Sequence, residues 1–184
     1  VRAFHDAVRE LSFDAMEMHD VAVHFAGKPC KHKYDGKKLI VRLPKALKAG
    51  EEGVVSVRYK LKQPRSGLHF IDASPSNGPQ VWSQSQPEDA RYWFPCHDAP
   101  QEKATSEILA TVPKGFSAVS NGVLLHKKSV SGKSQFHWKM EHPHSLYLIS
   151  LAAGRFTEVK DNWENIPVQY YCEKGREQDA RRAF

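Results

Sequence analysis

An antiparallel all-β domain is the fold class this sequence predicts, on three observations. Apolar and polar residues alternate with a period of two in one stretch after another, as in Val55, Val57, Tyr59 and Leu61 against Ser56, Arg58 and Lys60. Such stretches recur at intervals of about a dozen residues, separated by Gly, Pro and Asn-Gly turn signals. Only the last segment changes character: Glu173–Phe184 is rich in helix formers such as Glu177, Gln178, Ala180 and Arg181 and has no β-branched residue, so it reads as the first turns of a helix. At 184 residues, 40% hydrophobic and 26% charged, the chain suits one soluble domain with a real core.

Taken in order, Leu11, Phe13 and Ala15 alternate with Ser12 and Asp14 and predict the first strand. Val21, Val23 and Phe25 predict the second, which Gly27-Lys28-Pro29 breaks. Leu39, Val41 and Leu43 form a third, ended by Pro44. Gly50–Gly53 is a turn, and Val55–Leu61 is the clearest strand, closed by Pro64. Gly67–Ile71 is a short strand leading into a turn-rich bridge over Ser74–Pro79. Further on, Ile108, Ala110 and Val112 share a face, Pro113-Lys114-Gly115 turns the chain, and Asn121-Gly122 marks a turn or bulge. Phe136, Trp138 and Met140 alternate after a hairpin tip at Ser131-Gly132-Lys133. Leu146–Ala153 is apolar on both faces and reads as a covered central strand, with Phe156 and Val159 as its continuation. Val168, Tyr170 and Cys172 make one more strand.

The stretch Val81–Ile108 fits neither period and reads as a long irregular connection. Pro87, Pro95 and Pro100 exclude a central strand and interrupt a helix. Trp82, Tyr92, Trp93 and Phe94 argue against disorder, since each aromatic buries roughly 150–250 Å² when packed. An ordered, pinned loop is expected, presenting Ser83, Gln84, Ser85 and Gln86. Arg91, Asp98 and Lys103 suit charge-assisted bonds that tie the loop to itself. Glu88 and Asp89 read as exposed carboxylates rather than an acid/base pair, and Trp93 and Phe94 as core anchors.

The same stretch carries a family resemblance. Gln84-x-Gln86, Ala90-Arg91, Phe94-Pro95-Cys96-x-Asp98-x-Pro100 and Lys103-Ala104-Thr105 together resemble the signature of the zinc aminopeptidase N family, in its N-terminal domain. That family includes the leukotriene hydrolase branch and a non-catalytic relative in a general transcription factor. The resemblance is clear from Gly67 to about Phe156 and a pattern match from Leu11 to Pro64. It implies a saddle-shaped antiparallel β-sandwich over residues 1–172, with the family's first strands missing before Val1, and at 173–184 the start of a helix linking to an absent catalytic domain. It also implies that Gln84 contacts a peptide substrate near its N-terminal residue. Gln86 stands where many members have a Glu that grips the free amine, and the leukotriene hydrolase branch also has Gln there. The implied cofactor is zinc in the parent enzyme, with none bound by this segment.

A zinc peptidase of this class needs His-Glu-x-x-His on a helix, which sets two imidazoles one turn apart with the Glu beside the metal-bound water. Ten histidines are present without that motif, and the family's Gly-x-Met-Glu-Asn strand is also absent. The segment alone is therefore expected to be inactive. His142-Pro143-His144, the nearest histidine pair, reads as a polar edge more readily than a metal site. Cys30, Cys96 and Cys172 form no Cys-x-x-Cys pair and argue against a disulfide scaffold or zinc knuckle. Cys96-His97-Asp98 is not a triad merely by adjacency, and a buried apolar Cys96 is the default.

The net charge of +6 and the cluster Lys28, Lys31, Lys33, Lys37 and Lys38 around Asp35-Gly36 read as a solvated hairpin tip. Nucleic acid is not expected as a partner, and neither is a membrane, because no apolar run approaches 18 residues. No signal peptide is visible, and a soluble cytoplasmic chain is favoured over a periplasmic or secreted one. Two readings are carried forward. The first is a substrate-site-contributing domain of a zinc metallo-aminopeptidase, whose partners are a peptide and its own catalytic domain. The second is a protein-interaction scaffold related to the transcription-factor member.

Overall fold

The computed structural model describes residues 1–74 and 78–183. Among the described residues, fifteen strands, all paired antiparallel in the described ladders, and one terminal helix bear out the all-β prediction. The chain divides into two compact units, the first comprising Val1–His69, Ser83–Ala104 and His144–Ile149, the second Phe70–Trp82, Thr105–Pro143 and Ser150–Phe184.

In the first unit, strands β1 (Val8–Asp14), β5 (Lys38–Leu47) and β4 (Lys31–Tyr34) form one sheet, and β3 (Lys28–Pro29), β2 (His19–Phe25) and β6 (Val55–Lys60) another. Their alternation points one side chain in two inward. Leu39 and Val41 of β5, at 0% exposure, meet Val23 of β2, with Val55 and Val57 of β6 packed against them. This is a small sandwich of two three-stranded sheets. Two corrections to the sequence reading arise here. Pro44 does not end its strand: β5 runs on to Leu47, and Pro44 falls where the β1–β5 register shifts, between the pairs Glu10↔Arg42 and Val8↔Leu47. A bulge leaves the ladder without a bond for proline to break. Gly27-Lys28-Pro29 does not simply break the second strand. It turns the chain into β3 and β4, which apolar alternation does not reveal because Tyr34 is the one hydrophobic residue of Lys31-His32-Lys33-Tyr34 on the face toward the core.

In the second unit, β10 (Ser117–Ser120), β13 (Leu151–Gly154) and β8 (Gln80–Gln84, whose first three residues belong here) are neighbours in that order; β7 (Gly67–Ile71) has its last two residues in this unit. The second sheet is β11 (Val123–Val130), β12 (Lys133–Ser145) and β9 (Lys103–Val112). Phe136 and Trp138 of β12 fill the core with Ala118 and Ala153, and the Trp138 indole N–H donates to the Ala118 carbonyl at 2.9 Å. The expected central strand over Leu146–Ala153 is half right: β13 is central, but Leu146–Leu148 is a 3₁₀ turn. There the Leu146 N–H donates to the Glu102 carbonyl and the Ile149 N–H back to Leu146, so an apolar run is compatible with a partly buried turn as well as with a strand: Leu146 is buried while Leu148 is 50% exposed. Phe156 and Val159 belong to a separate hairpin, β14 (Phe156–Trp163) with β15 (Ile166–Glu173). The helix, α1, is Glu177–Ala183, and Glu173 still belongs to β15. The turn expected over Ser74–Pro79 has its centre, Pro75-Ser76-Asn77, outside the described residues, as is Phe184.

The irregular stretch is shorter than its aperiodicity suggests. Val81–Gln84 lies in β8 and Lys103–Ile108 in β9, leaving a loop over Ser85–Glu102 with a 3₁₀ turn at Ala90–Tyr92. Many straps hold it within the first unit. Asp14 and Cys96 exchange backbone bonds of 2.7 and 3.0 Å, and the Met16 N–H donates to Arg91 O at 2.8 Å. The Tyr59 hydroxyl, its pKa pushed up to about 12 by burial, donates to Trp93 O at 2.8 Å. Arg65 Nε donates to the Tyr92 hydroxyl at 2.8 Å, and the Ser66 hydroxyl to Asp89 at 2.6 Å. Gly67, with φ +75°, lies so close that a Cβ there would stand 2.3 Å from Asp89 O.

At the centre is Asp98, whose side chain is 2% exposed. Its Oδ2 accepts from Arg91 Nε at 2.7 Å and from the Arg91 backbone N–H at 3.0 Å, while Arg91 Nη2 donates to Asp98 O at 3.0 Å and Glu88 at 3.0 Å. The Asp98 N–H reaches Asp14 Oδ2 at 3.2 Å, and Lys38 Nζ sits 2.5 Å from Asp14 Oδ1. Lys38 is thus paired rather than merely solvated. Burial pushes the Asp14 carboxyl up, but Lys38, the Asp98 N–H and Arg91 outweigh it and hold it below the ordinary value. Burial alone would lower the Arg91 pKa, yet the bond and charge of Asp98 keep it above the usual guanidinium value.

Removing one partner of a buried pair costs about 3–5 kcal/mol. Arg91→Ala is expected to lower the unfolding free energy by about that much, read as the urea midpoint times an unchanged slope. Because Asp14 titrates lower folded than unfolded, its contribution is complete above its unfolded pKa and is lost as pH falls through the folded value. Asp14→Asn should therefore flatten the acid limb of stability below about pH 5, followed by urea midpoints as the pH is lowered.

Candidate functional site

Gln84 ends β8 and Gln86 follows the loop's first residue. Both side chains are exposed, while Ser85 between them is 2% exposed. The β-type alternation continues one step past the strand, so the two amides share an outward face. Neither makes a side-chain hydrogen bond among the described residues. Ser85 anchors the backbone beneath them: its carbonyl accepts the Asp89 N–H at 2.9 Å, and its hydroxyl, turned inward, has no hydrogen-bond partner. The Gln86–Pro87 peptide is cis. Trp82, on the same face of β8, is 40% exposed. Two free amides on a strapped backbone can accept from an ammonium and donate to a carbonyl, the chemistry of binding a peptide end.

The other singled-out residues fall into clear roles. Cys96 is buried, and burial, with the Asp98 and Asp14 carboxylates adding to it, pushes its thiol far up and leaves it protonated and inert. Arg91 and Asp98 tie the loop as expected. Lys103 does not: it is exposed at the start of β9, and none of the described ion pairs includes it. Asp89 is half-buried under the Ser66 hydroxyl instead of exposed. Trp93 and Phe94 are half-buried, packed edge to face at 5.3 Å, and Tyr92 is the deeper anchor at 7% exposure. Phe94 lines an apolar groove of about 400 Å³ with Phe13, Val55, Val57, Tyr59 and Pro95. His142 and His144 both lie in β12, and among the described residues no group of three His, Cys, Asp or Glu side chains stands ready to ligate one ion.

Sequence reasoning missed the loop's external partners, Asp14, Tyr59, Arg65, Ser66 and Gly67. The one available signal was the Arg65-Ser66-Gly67 cluster, three residues suited to hydrogen bonding and close approach placed just before a strand.

With this geometry in hand, the chain can be set beside known proteins. Residues 6–148 match the family model described as the peptidase M1 N-terminal domain. Rat aminopeptidase B is 32% identical over 135 residues, covering 72% of this chain and 20% of its own length. Leukotriene A-4 hydrolase of Xenopus laevis is 27% identical over 166 residues, covering 84% and 27%. Chicken transcription initiation factor TFIID subunit 2 is 32% identical over 125 residues, covering 64% and 11%. The chain thus spans only 11–27% of the length of these curated relatives. Among solved structures, native yeast LTA4 hydrolase superposes with TM-score 0.81 at 20% identity, over 100% of this chain and 29% of that one. An M1 zinc metallopeptidase from Deinococcus radiodurans gives TM-score 0.73 at 22% identity, over 88% and 37%. These structures share the fold, and the family model covers most of the sequence: the chain belongs to the peptidase M1 N-terminal domain family.

Proposed function

We propose that this chain is the substrate-contacting N-terminal domain of a zinc metallo-aminopeptidase that removes N-terminal residues from peptides, and that Gln84 and Gln86 meet the substrate's first residue. On this reading residues 1–172 are the β-domain and 173–184 begin the helix leading to a catalytic domain. The observation that carries it is the pair of exposed, unbonded amides flanking a buried Ser85 on a loop that the Arg91–Asp98 pair holds in one geometry. Family membership and the aminopeptidase relatives supply the reaction class. The residues present do not fit the catalytic zinc itself: the sequence has no His-Glu-x-x-His, and the described residues hold no three-ligand cluster. Zinc, which supplies Lewis acidity and an activated water, is assigned to the adjoining domain, and this chain is expected to be inactive alone.

The part left to this chain is binding and orientation. An amide acceptor at Gln86 gives an ammonium a bond worth about 0.5–1.5 kcal/mol, against about 1.5–3 kcal/mol for a carboxylate. Amine capture therefore leans on the adjoining domain, and Gln84 fixes the position of the first residue.

The likeness to the TFIID subunit supports the second reading, a protein-interaction scaffold. A parent protein without an intact His-Glu-x-x-His and without peptidase activity would establish that one instead.

In the full-length protein, Gln84→Ala should lower kcat/KM several-fold, and unchanged kinetics would remove Gln84 from the site. Gln86→Glu should gain about 1 kcal/mol of amine binding, roughly a fivefold lower KM for peptides with a free N-terminus. N-acetylated peptides bound as inhibitors should show no such gain.

A further inference from the structure

The sheet β11-β12-β9 turns one face to solvent, and across it His126, His137 and Glu107 lie in a row, one from each strand. A bulge creates the row. The β11–β12 ladder pairs Val123↔Lys139 and Leu124↔Trp138, then resumes at His126↔His137. A regular ladder would set His126 opposite Phe136, a core residue 4% exposed. The extra residue, Leu125, turns His126 to the outer face, directly opposite His137. The two rings stand 4.8 Å apart between centroids, at 78°.

On its other side His137 is bonded through Nε2 to a Glu107 carboxylate oxygen. A carboxylate only accepts, so Nε2 carries the proton and the lone pair of the neutral ring is at Nδ1. That nitrogen is buried and has no hydrogen-bond partner. An imidazole whose one nitrogen donates to a carboxylate while the other offers an unused lone pair is the usual form of a metal-binding histidine with its supporting group. Directly opposed cross-strand residues have Cβ atoms about 4.5–5.5 Å apart, within reach of one ion, and the exposed His126 ring has room to turn toward it.

We propose that His126 and His137 form a two-imidazole site for a divalent transition-metal ion of the zinc, nickel or copper class, with Glu107 orienting the His137 ring and water completing the coordination. Imidazole donors select these ions over magnesium and calcium.

The test is titration of Zn²⁺ alone into the chain, following histidine ring resonances by NMR, with circular dichroism as a check on folding. At the first equivalent the His126 and His137 rings should shift ahead of the other eight histidines of the ten. His126→Ala, an exposed change, should abolish that shift. Glu107→Gln should weaken binding by about 10–100-fold while leaving the same two rings as ligands. Rings at positions 126 and 137 that do not respond to Zn²⁺, or equal affinity in His126→Ala, would overturn the proposal, the latter by placing the ion on other histidines.

Discussion

The constraint on which this structure most depends is the burial of the Asp98 carboxylate. Taking a charge out of water costs several kcal/mol unless every lone pair and proton around it is matched. Here the matching is done by Arg91, through its side chain and its own backbone N–H, and by Asp14, which receives the Asp98 N–H and sits beside Lys38. Such a set of bonds is satisfied in one arrangement and badly unsatisfied in its neighbours. That leaves the eighteen-residue loop Ser85–Glu102 little freedom, although it has almost no ladder of its own. The 3₁₀ turn at Ala90–Tyr92, the paired bonds between Asp14 and Cys96, and the inward Ser85 all follow from the same anchoring. Gln84 and Gln86 project outward, by the alternation of β8, at the start of the backbone it holds.

Both places where chemistry is proposed are irregularities in otherwise regular β-structure. The two amides sit at the end of β8 and two residues past it, and the histidine row owes its alignment to one extra residue in β11. A regular strand alternates between core and solvent and commits half its side chains to packing. Where the ladder ends or slips, side chains are redirected without loss of core: Phe136 and Trp138 remain buried on one face of the sheet while the bulge in β11 turns His126 to the other. The two units supply the rigidity for this independently, one around Leu39, Val41 and Val23, the other around Phe136, Trp138, Ala118 and Ala153.

Strands with one apolar face were legible in the sequence, because a period of two is written into the chain itself: β2, β6, β9 and β15 stand where alternation puts them. Strands with a single hydrophobic residue on the inner face were not. β4 is Lys31-His32-Lys33-Tyr34, and only its pairing with β5 makes it a strand. Pro44 was misread because a proline's cost depends on whether its position needs a donor, and a bulge cancels that need. Leu146–Leu148 was misread because apolar composition does not fix conformation: Leu146 is buried, Leu148 is exposed, and the segment turns. In the loop, the residue types suited to tying were visible at Arg91 and Asp98, but Lys103 shares their chemistry and takes no part.

By itself, then, the sequence determined the β class, most strand positions, the terminal helix and the family motif with its two glutamines. These are properties of residue type and local spacing, and they need no partner to exist. Only the tertiary structure decided which carboxylate is buried, that Asp14 receives the loop from more than seventy residues away, and that Glu107, His126 and His137 form one row. Those are relations through space, fixed by sheet order and register, and a one-residue slip in register moves a side chain to the opposite face.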